Sequence, residues 1–352
     1  MRLLHNVPLA PMTSLRIGGA ARRFVEIDDE EALVAEVLAA DARREPVFVL
    51  GGGSNVVVSD SGFDGLVVRV MTRGVNPRRN AGRAVVDVAA GEPWDDFVAR
   101  AVSEGWSGVE CLSGIPGLAG GAPMQNIGAY GQEVRATIES VRVLDRATKT
   151  VGEKLARDCR FAYRTSVFKG TERFVVLGVR FALEIRQDGA PVRYAELARA
   201  LAVKEGARAP LAETRRTILG LRRAKGMVLD SADAESVSAG SFFVNPLLSD
   251  AEVIALEERV RAQGIEPTSC PRFVEEEGIT KVPAAWLIER AGFPKGWGHG
   301  RAGISRKHAL ALVNRGGATA KELLEVAGAI QRGVERAFGV SLVAEPVLVG
   351  AM

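Results

Sequence analysis

Three side chains in this 352-residue chain have chemistry out of keeping with their neighbours. Arg164, in YRTSVFK (163–169), carries a planar fork able to grip a carboxylate or a phosphate. Ser241, in AGSFFVNP (239–246), sits between glycine and two phenylalanines, and its hydroxyl can pass a proton. Glu345 is the one carboxylate in the apolar run 340–349. A buried bare carboxylate is costly, so Glu345 is expected to be paired, protonated or part of a site. Spacing alone leaves a structural role open for each of the three.

Two glycine-rich stretches are candidates for holding a ligand. The longer, SGIPGLAGGAPMQNIGAYG (113–131), holds six glycines and two prolines, which leave little chance of a regular helix or strand. Ile115, Leu118, Met124, Ile127 and Tyr130 are interleaved with them, so it is no flexible linker. Glycines let backbone N–H groups approach an anion closely, phosphate above all. The shorter stretch, Gly51-Gly52-Gly53-Ser54-Asn55, follows a buried strand candidate at Pro46–Leu50. An ordinary turn remains the other reading of both.

Elements that position these residues are legible in outline. A strand at Phe24–Ile27 leads through Asp28 and Asp29, as N-cap, into an amphipathic helix over 30–41. Further strands are expected at Val56–Val58, Leu66–Val70, Ala84–Ala89, Ile138–Leu144, Phe174–Ile185 and Val340–Val349. Helices are expected at Pro93–Glu104 and Ala284–Ala291, and from the capping boxes Ser249/Glu252 to Gln263 and Thr319/Glu322 to Phe338. Residues 210–224, PLAETRRTILGLRRA, read as a basic helix with a solvated charged face, although its arginines also suit a phosphorylated small molecule. The fold class is α+β, and the length predicts two or three domains.

Several function classes are excluded. There is no G-x-G-x-x-G dinucleotide fingerprint, no G-x-x-x-x-G-K-[ST] phosphate loop and no G-x-S-x-G nucleophile elbow. With 46 basic and 43 acidic residues, the net charge of +3 is no footprint for a nucleic acid. Cys111, Cys159 and Cys270 stand in no C-x-x-C spacing, and His5, His299 and His308 are few and scattered, so neither a disulfide framework nor a metal is expected. No run reaches about 18 apolar residues and the N-terminus lacks a long apolar core. A cytoplasmic protein without membrane insertion is expected.

Taken in order, TSLRIGG (13–19), LGGGSN (50–55), the 113–131 loop, YRTSVFK, AGSFFVNP and AEP (344–346) resemble the UDP-N-acetylenolpyruvoylglucosamine reductase family, in its longer subtype, over nearly the full chain. The resemblance implies an FAD-binding domain of the vanillyl-alcohol oxidase (PCMH) type, built from two α+β subdomains over 1–71 and 72–225. It also implies a C-terminal α+β substrate-binding domain over 226–338, with 339–352 returning to the flavin core. The implied reaction is NADPH-dependent reduction of UDP-N-acetylglucosamine-enolpyruvate to UDP-N-acetylmuramate for peptidoglycan. NADPH acts as co-substrate and a monomer is expected.

Carried over to this chain, the family pattern makes Ser241 the acid that protonates C2 of the enol. Arg164 and Glu345 become the groups that hold the substrate carboxylate and stabilise the enolate. FAD falls to Gly51, Gly52, Gly53, Ser54, Asn55, Ser113, Gly114, Ile115, Pro116, Gly117, Gly120, Gly121, Gln125, Asn126, Gly128, Ala129 and Tyr130. The nucleotide sugar falls to Tyr163, Lys225 and Asn245, with Tyr194 closing over it. Val244 stands where some relatives have lysine. Two other readings remain: another FAD oxidase or dehydrogenase of this fold, and a flavin-free nucleotide-sugar binder. The first often tethers its flavin through histidine or cysteine, yet no histidine occurs between residues 6 and 298.

Overall fold

The computed structural model describes residues 2–298 and 300–351, apart from the Glu276 side chain; His299 lies outside the described residues. The expected strand–helix–strand start forms as a four-stranded sheet ordered Leu4–Pro8, Ala20–Ile27, Phe63–Val70, Val47–Leu50. The first pair is antiparallel and the other two are parallel. Phe63–Val70 is central, which explains its unbroken Leu-Val-Val run. Helix α1 (Glu30–Ala42) crosses between strands, and Asp29 caps it by accepting the Ala32 N–H at 2.8 Å.

A second sheet runs Thr150–Leu155, Ile138–Asp145, Phe174–Ile185, Arg83–Ala89, Val75–Asn80, with Trp106–Ser107 on the end of the long strand. Its outer strands, VNPRRN and TVGEKL, are exposed and polar, so they carry no apolar alternation for a sequence reading to detect. Helix α2 (Trp94–Ser103) buries Trp94, Phe97, Val98 and Ala101, and Phe97 stacks on Phe181 at 4.9 Å. The two sheets share one apolar core that includes Val25, Val68, Val86, Val141 and Phe181. Helices α3 (Ala195–Ala200) and α4 (Leu211–Ala224) complete this unit, which comprises Met1–Pro8, Ala20–Ser54 and Phe63–Leu229.

The second unit comprises Leu9–Gly19, Asn55–Gly62 and Asp230–Met352. It holds α5 (Asp250–Ala262), α6 (Ala284–Arg290) and α7 (Ala320–Phe338), and both expected capping boxes form. Asp60 reinforces α7 by accepting the N–H groups of Ala320 and Lys321 at 2.7 and 3.0 Å. Two three-stranded antiparallel sheets lie in this unit: Ser238–Ser241, Ala311–Asn314, Ala302–Ile304, and Leu247–Ser249, Ile279–Lys281, Phe273–Glu276.

The main break, after Leu229, falls near the expected boundary at 225, but there is no break at 71, and Leu9–Gly19 and Asn55–Gly62 join the second unit. Leu15, Ile17 and Val57 are buried with Phe242, Leu287, Ile330 and Phe338, so the TSLRIGG segment and the strand after GGGSN belong to the C-terminal core. Residues 339–352 do not return to the core of 72–225 either: Val347–Val349 pairs in parallel with Val56–Val58. Only three of the residues from Val340 to Val349 form this strand. Pro346 has no N–H for a ladder. The residues before it bond instead to the Phe242–Val244 segment.

Candidate active site

In the first unit the two glycine stretches meet backbone to backbone. A Cβ on Gly52 would stand 2.6 Å from Gly117 Cα, and one on Gly117 would stand 2.8 Å from Ser54 Oγ. Ser54 Oγ donates to Pro116 O at 3.0 Å and ties the two stretches. Gly51 packs near Leu118, and around Gly121 a Cβ would meet nothing within 4 Å. The seam thus presents main chain rather than side chains, with open space beside it. That arrangement fits the pyrophosphate of FAD, which is bound by close backbone N–H groups. Gly120 has a different task, because a Cβ there would strike Ala90 at 2.7 Å.

The start of α2 holds this loop in place. Trp94 N–H donates to Gly117 O and its indole N–H to Leu112 O, both at 3.0 Å. Gly114 N–H donates to Asp95 at 2.5 Å, and Arg215 of α4 forks onto the same carboxylate at 2.6 and 2.8 Å. Burial alone would push the Asp95 carboxyl up, but the Arg215 fork and the Gly114 N–H outweigh it and hold the group below its ordinary range. Two expected cofactor residues belong to this frame. Ser113 and Asn126 have no accessible surface. Ser113 Oγ donates to Glu110 O, while Asn126 bonds Glu133, Ala162 O and the Arg135 N–H. Their side chains brace the loop.

Asp95→Asn is expected to lower stability by about 1–2 kcal/mol at neutral pH, given a partly exposed charged hydrogen bond. The native carboxyl titrates below its ordinary value of 3.8, so its contribution is complete above that pH and fades as acid protonates the folded state. Thermal unfolding of both proteins from pH 7 to pH 3 checks this. The gap should close in acid, and a constant gap would remove the charge from the explanation.

The far end of the loop gathers the polar residues. Arg164 donates to Gly128 O at 2.8 Å and lies 5.6 Å from the Tyr163 ring. Tyr130 meets Tyr194 edge-on at 5.4 Å, and Lys225 lies 5.6 Å from the Tyr130 ring while pairing with Glu196 at 2.6 Å. Burial, first among several causes, pushes the Tyr130 phenol up to about 12. Tyr194 is 44% exposed at the entry to α3. Asn126, Tyr130 and Arg164 all adopt positive φ, at 46°, 49° and 53°. Gln125, Ile115, Pro116 and Ala129 are half-buried along the same loop.

The second unit brings Ser241 and Glu345 onto neighbouring backbone. Ser241 ends the strand Ser238–Ser241 at an irregular register with Ala311–Asn314, after Gly240 at φ 74°. Glu345 N–H then donates to Phe242 O at 2.8 Å, and Val244 N–H to Val343 O at 3.0 Å. Glu345 is half-buried rather than sealed in an apolar strand. Asn55 joins this segment through its amide to Glu345 O at 3.4 Å, and Val347 N–H returns to Asn55 O. Asn245 accepts the Ala284 N–H at 2.9 Å in the first turn of α6. Sequence reasoning missed Asp95, and it named Arg215 and Arg222 only together with their exposed neighbours, as basic spots suited to a phosphorylated small molecule.

Among the described residues, no group of three or more His, Cys, Asp or Glu is placed to hold a metal ion, and no helix is long and apolar enough to cross a membrane. Comparison with known proteins defines the class first. Residues 21–152 match the family model of an FAD binding domain, and residues 232–349 match that of the UDP-N-acetylenolpyruvoylglucosamine reductase C-terminal domain. This is an FAD-binding oxidoreductase of α+β architecture with a C-terminal α+β domain.

The chain is 51% identical over 348 residues to UDP-N-acetylenolpyruvoylglucosamine reductase of Thermobifida fusca, covering 98% of each. It is 46% identical to the protein of that name from Cutibacterium acnes, over 98% of this chain and 90% of the relative. The crystal structure of UDP-N-acetylenolpyruvylglucosamine reductase from Thermus caldophilus aligns with a TM-score of 0.67 at 26% identity, over 99% of this chain and 100% of that one. The chain belongs to the UDP-N-acetylenolpyruvoylglucosamine reductase family.

Proposed function

We propose that this chain reduces UDP-N-acetylglucosamine-enolpyruvate to UDP-N-acetylmuramate with NADPH, through FAD. As a cytoplasmic monomer it would serve peptidoglycan synthesis and, through it, cell shape and division. The observation that carries the reading is the backbone seam of Gly52 and Gly117 in a chain matched by both family models. The first unit would hold FAD, and the C-terminal unit would take the nucleotide sugar. FAD, when bound, supplies the two-electron relay between NADPH and the enolpyruvyl double bond.

The chain's own residues then do the following. Arg164, fixed through Gly128 O, neutralises the substrate carboxylate, whose charge grows as the enolate forms. Ser241 delivers its hydroxyl proton to C2. Glu345 helps to hold the substrate carboxylate and to stabilise the enolate. Lys225, paired with Glu196 in this structure, exchanges that partner for the diphosphate, Asn245 and Tyr163 contribute to nucleotide-sugar binding, and Tyr194 closes over it. Backbone groups along Gly51–Asn55 and the 113–131 loop would hold FAD. A flavin tether at Cys111 is disfavoured, because the thiol is 5% exposed and burial, then Glu110, raise its pKa far above the ordinary range.

The test is anaerobic stopped-flow of the FAD-loaded protein, first with NADPH and then with the enolpyruvyl nucleotide sugar. Bleaching by the first and reoxidation by the second are expected. A protein that takes up no FAD would overturn the proposal. Arg164→Met should cut turnover about 10²–10³-fold, in line with the loss of one preorganised donor to a developing oxyanion. Calorimetric binding of UDP should stay near wild type, and unchanged turnover would remove Arg164 from the mechanism.

A further inference from the structure

Helix α4 carries a cation where a solvated face was expected. Arg222 is only 8% exposed. One terminal nitrogen donates to Met227 O at 2.8 Å, but its buried Nε finds no hydrogen-bond partner among the described residues. A buried charged donor left unsatisfied is costly and calls for an explanation. That Nε faces the flavin loop, since a Cβ on Gly114 would lie 3.5 Å from it. Burial depresses the proton affinity of Arg222, Tyr130 and Asp95 oppose this, and the charge of Arg164 adds to the depression. Asp95 cannot serve as its full counterion, because both carboxylate oxygens are engaged by Arg215 and one also by Gly114 N–H.

Position along the loop narrows the ligand. The Gly117 end is closed against Gly52 and Ser54, as suits the pyrophosphate. Arg222 lies beside Gly114 and accepts the Lys225 N–H through its backbone carbonyl at 3.1 Å, and the Lys225 ammonium stands 5.6 Å from the Tyr130 ring, so the guanidinium lies between the start of the loop and its Tyr130 end. The part of FAD whose charge changes during turnover is the pyrimidine edge of the ring, where reduction places negative charge on N1 and the C2 carbonyl. A nearby cation is one of the groups by which a protein tunes flavin electronics.

We propose that Arg222 faces the N1–C2 carbonyl edge of the flavin and sets the potential at which FAD accepts electrons. The inference rests on the proposed function only in requiring FAD at the 113–131 loop. Its test is the midpoint potential of the FAD-loaded protein, measured by equilibration with a reference dye in wild type, Arg222→Lys and Arg222→Gln. Glutamine retains an amide donor in place of the one that reaches Met227 O, yet removes the charge. Arg222→Gln should lower the equilibrium constant for two-electron reduction at least tenfold, about 30 mV more negative. Arg222→Lys should recover most of that shift.

A wild-type potential in a folded, FAD-loaded Arg222→Gln protein overturns the inference. So does a loss of FAD affinity with no change in potential, which would place the arginine on the diphosphate. A probe on the wild-type protein covers the case of a variant that does not fold. Reconstituted 8-mercapto-FAD should show the red-shifted absorbance produced by a cation at the N1–C2 edge, and the spectrum of the free analogue would overturn the assignment. If wild type takes up no FAD, the functional reading fails with it. If FAD binds normally and only the potential is unmoved, Arg222 alone is misassigned.

Discussion

Ser241→Ala should leave NADPH reduction of bound FAD within a few-fold of wild type and slow reduction of the enolpyruvyl nucleotide sugar about 10²–10⁴-fold, the usual range for a positioned general acid. The asymmetry follows from the chemistry. Only the second half-reaction delivers a proton to carbon, and only there does the hydroxyl act. The substitution removes one oxygen and keeps the Cβ, at a half-buried position on the end of a strand. The neighbouring main chain holds the segment independently of that oxygen: Phe242 N–H donates to Leu310 O at 2.7 Å and Phe242 O accepts from Glu345 N–H. Stopped-flow of the two half-reactions separates the outcomes. Equal impairment of both would mean that the serine shapes the segment and carries no proton. Ser241→Cys, which restores a donor of similar size, should recover part of the second half-reaction.

Residues that declare themselves locally were legible in the sequence. Ser249/Glu252 and Thr319/Glu322 are capping boxes by residue type and spacing, and both form. The 113–131 stretch read as a candidate ligand loop because glycines interleaved with apolar residues suit a flexible linker and a regular element poorly, and 51–55 because it follows a strand, with an ordinary turn open for each; the structure puts the two in contact. What escaped depends on burial and long-range pairing. Arg215 and Arg222 stand on the face of the buried Leu211 and Ile218 at i, i+4, i+7 and i+11 spacing, whereas Arg216 and Arg223 are exposed, and reading the helix by its charge alone passed over that period. Leu15, Ile17 and Val57 look like parts of the N-terminal strands around them, yet they are buried with Phe242 and Phe338 some two hundred residues or more later in the chain. Glu345 looked sealed in an apolar strand because Val343, Val347 and Leu348 surround it, but these are 65%, 48% and 48% exposed. An apolar run at a chain end signals a strand only if something covers it.

The seam between the glycine loops yields the second large effect. Gly52→Ala should weaken FAD binding about ten- to a hundredfold, corresponding to an overpacking cost of roughly 1–3 kcal/mol. The new methyl would lie 2.6 Å from Gly117 Cα and 3.1 Å from its carbonyl carbon. Both are main-chain atoms, so no side-chain rotation relieves the clash. Nor is Gly117 at liberty to retreat, because its O accepts the Trp94 N–H, its neighbour Pro116 accepts from Ser54, and it sits at φ 120°. The loop must therefore move as a whole, and the backbone groups offered to the pyrophosphate move with it. Gly52 itself is exposed and outside the apolar core, so circular dichroism and the unfolding temperature should change little while flavin is lost. Gly121→Ala provides the matched control in the same loop, since its Cβ would meet nothing within 4 Å. Fluorescence titration of the apoproteins with FAD decides between them. Equal affinities for wild type and Gly52→Ala would show that the seam does not set the cofactor site, whereas a loss confined to Gly52→Ala would tie flavin binding to the approach of these two main chains.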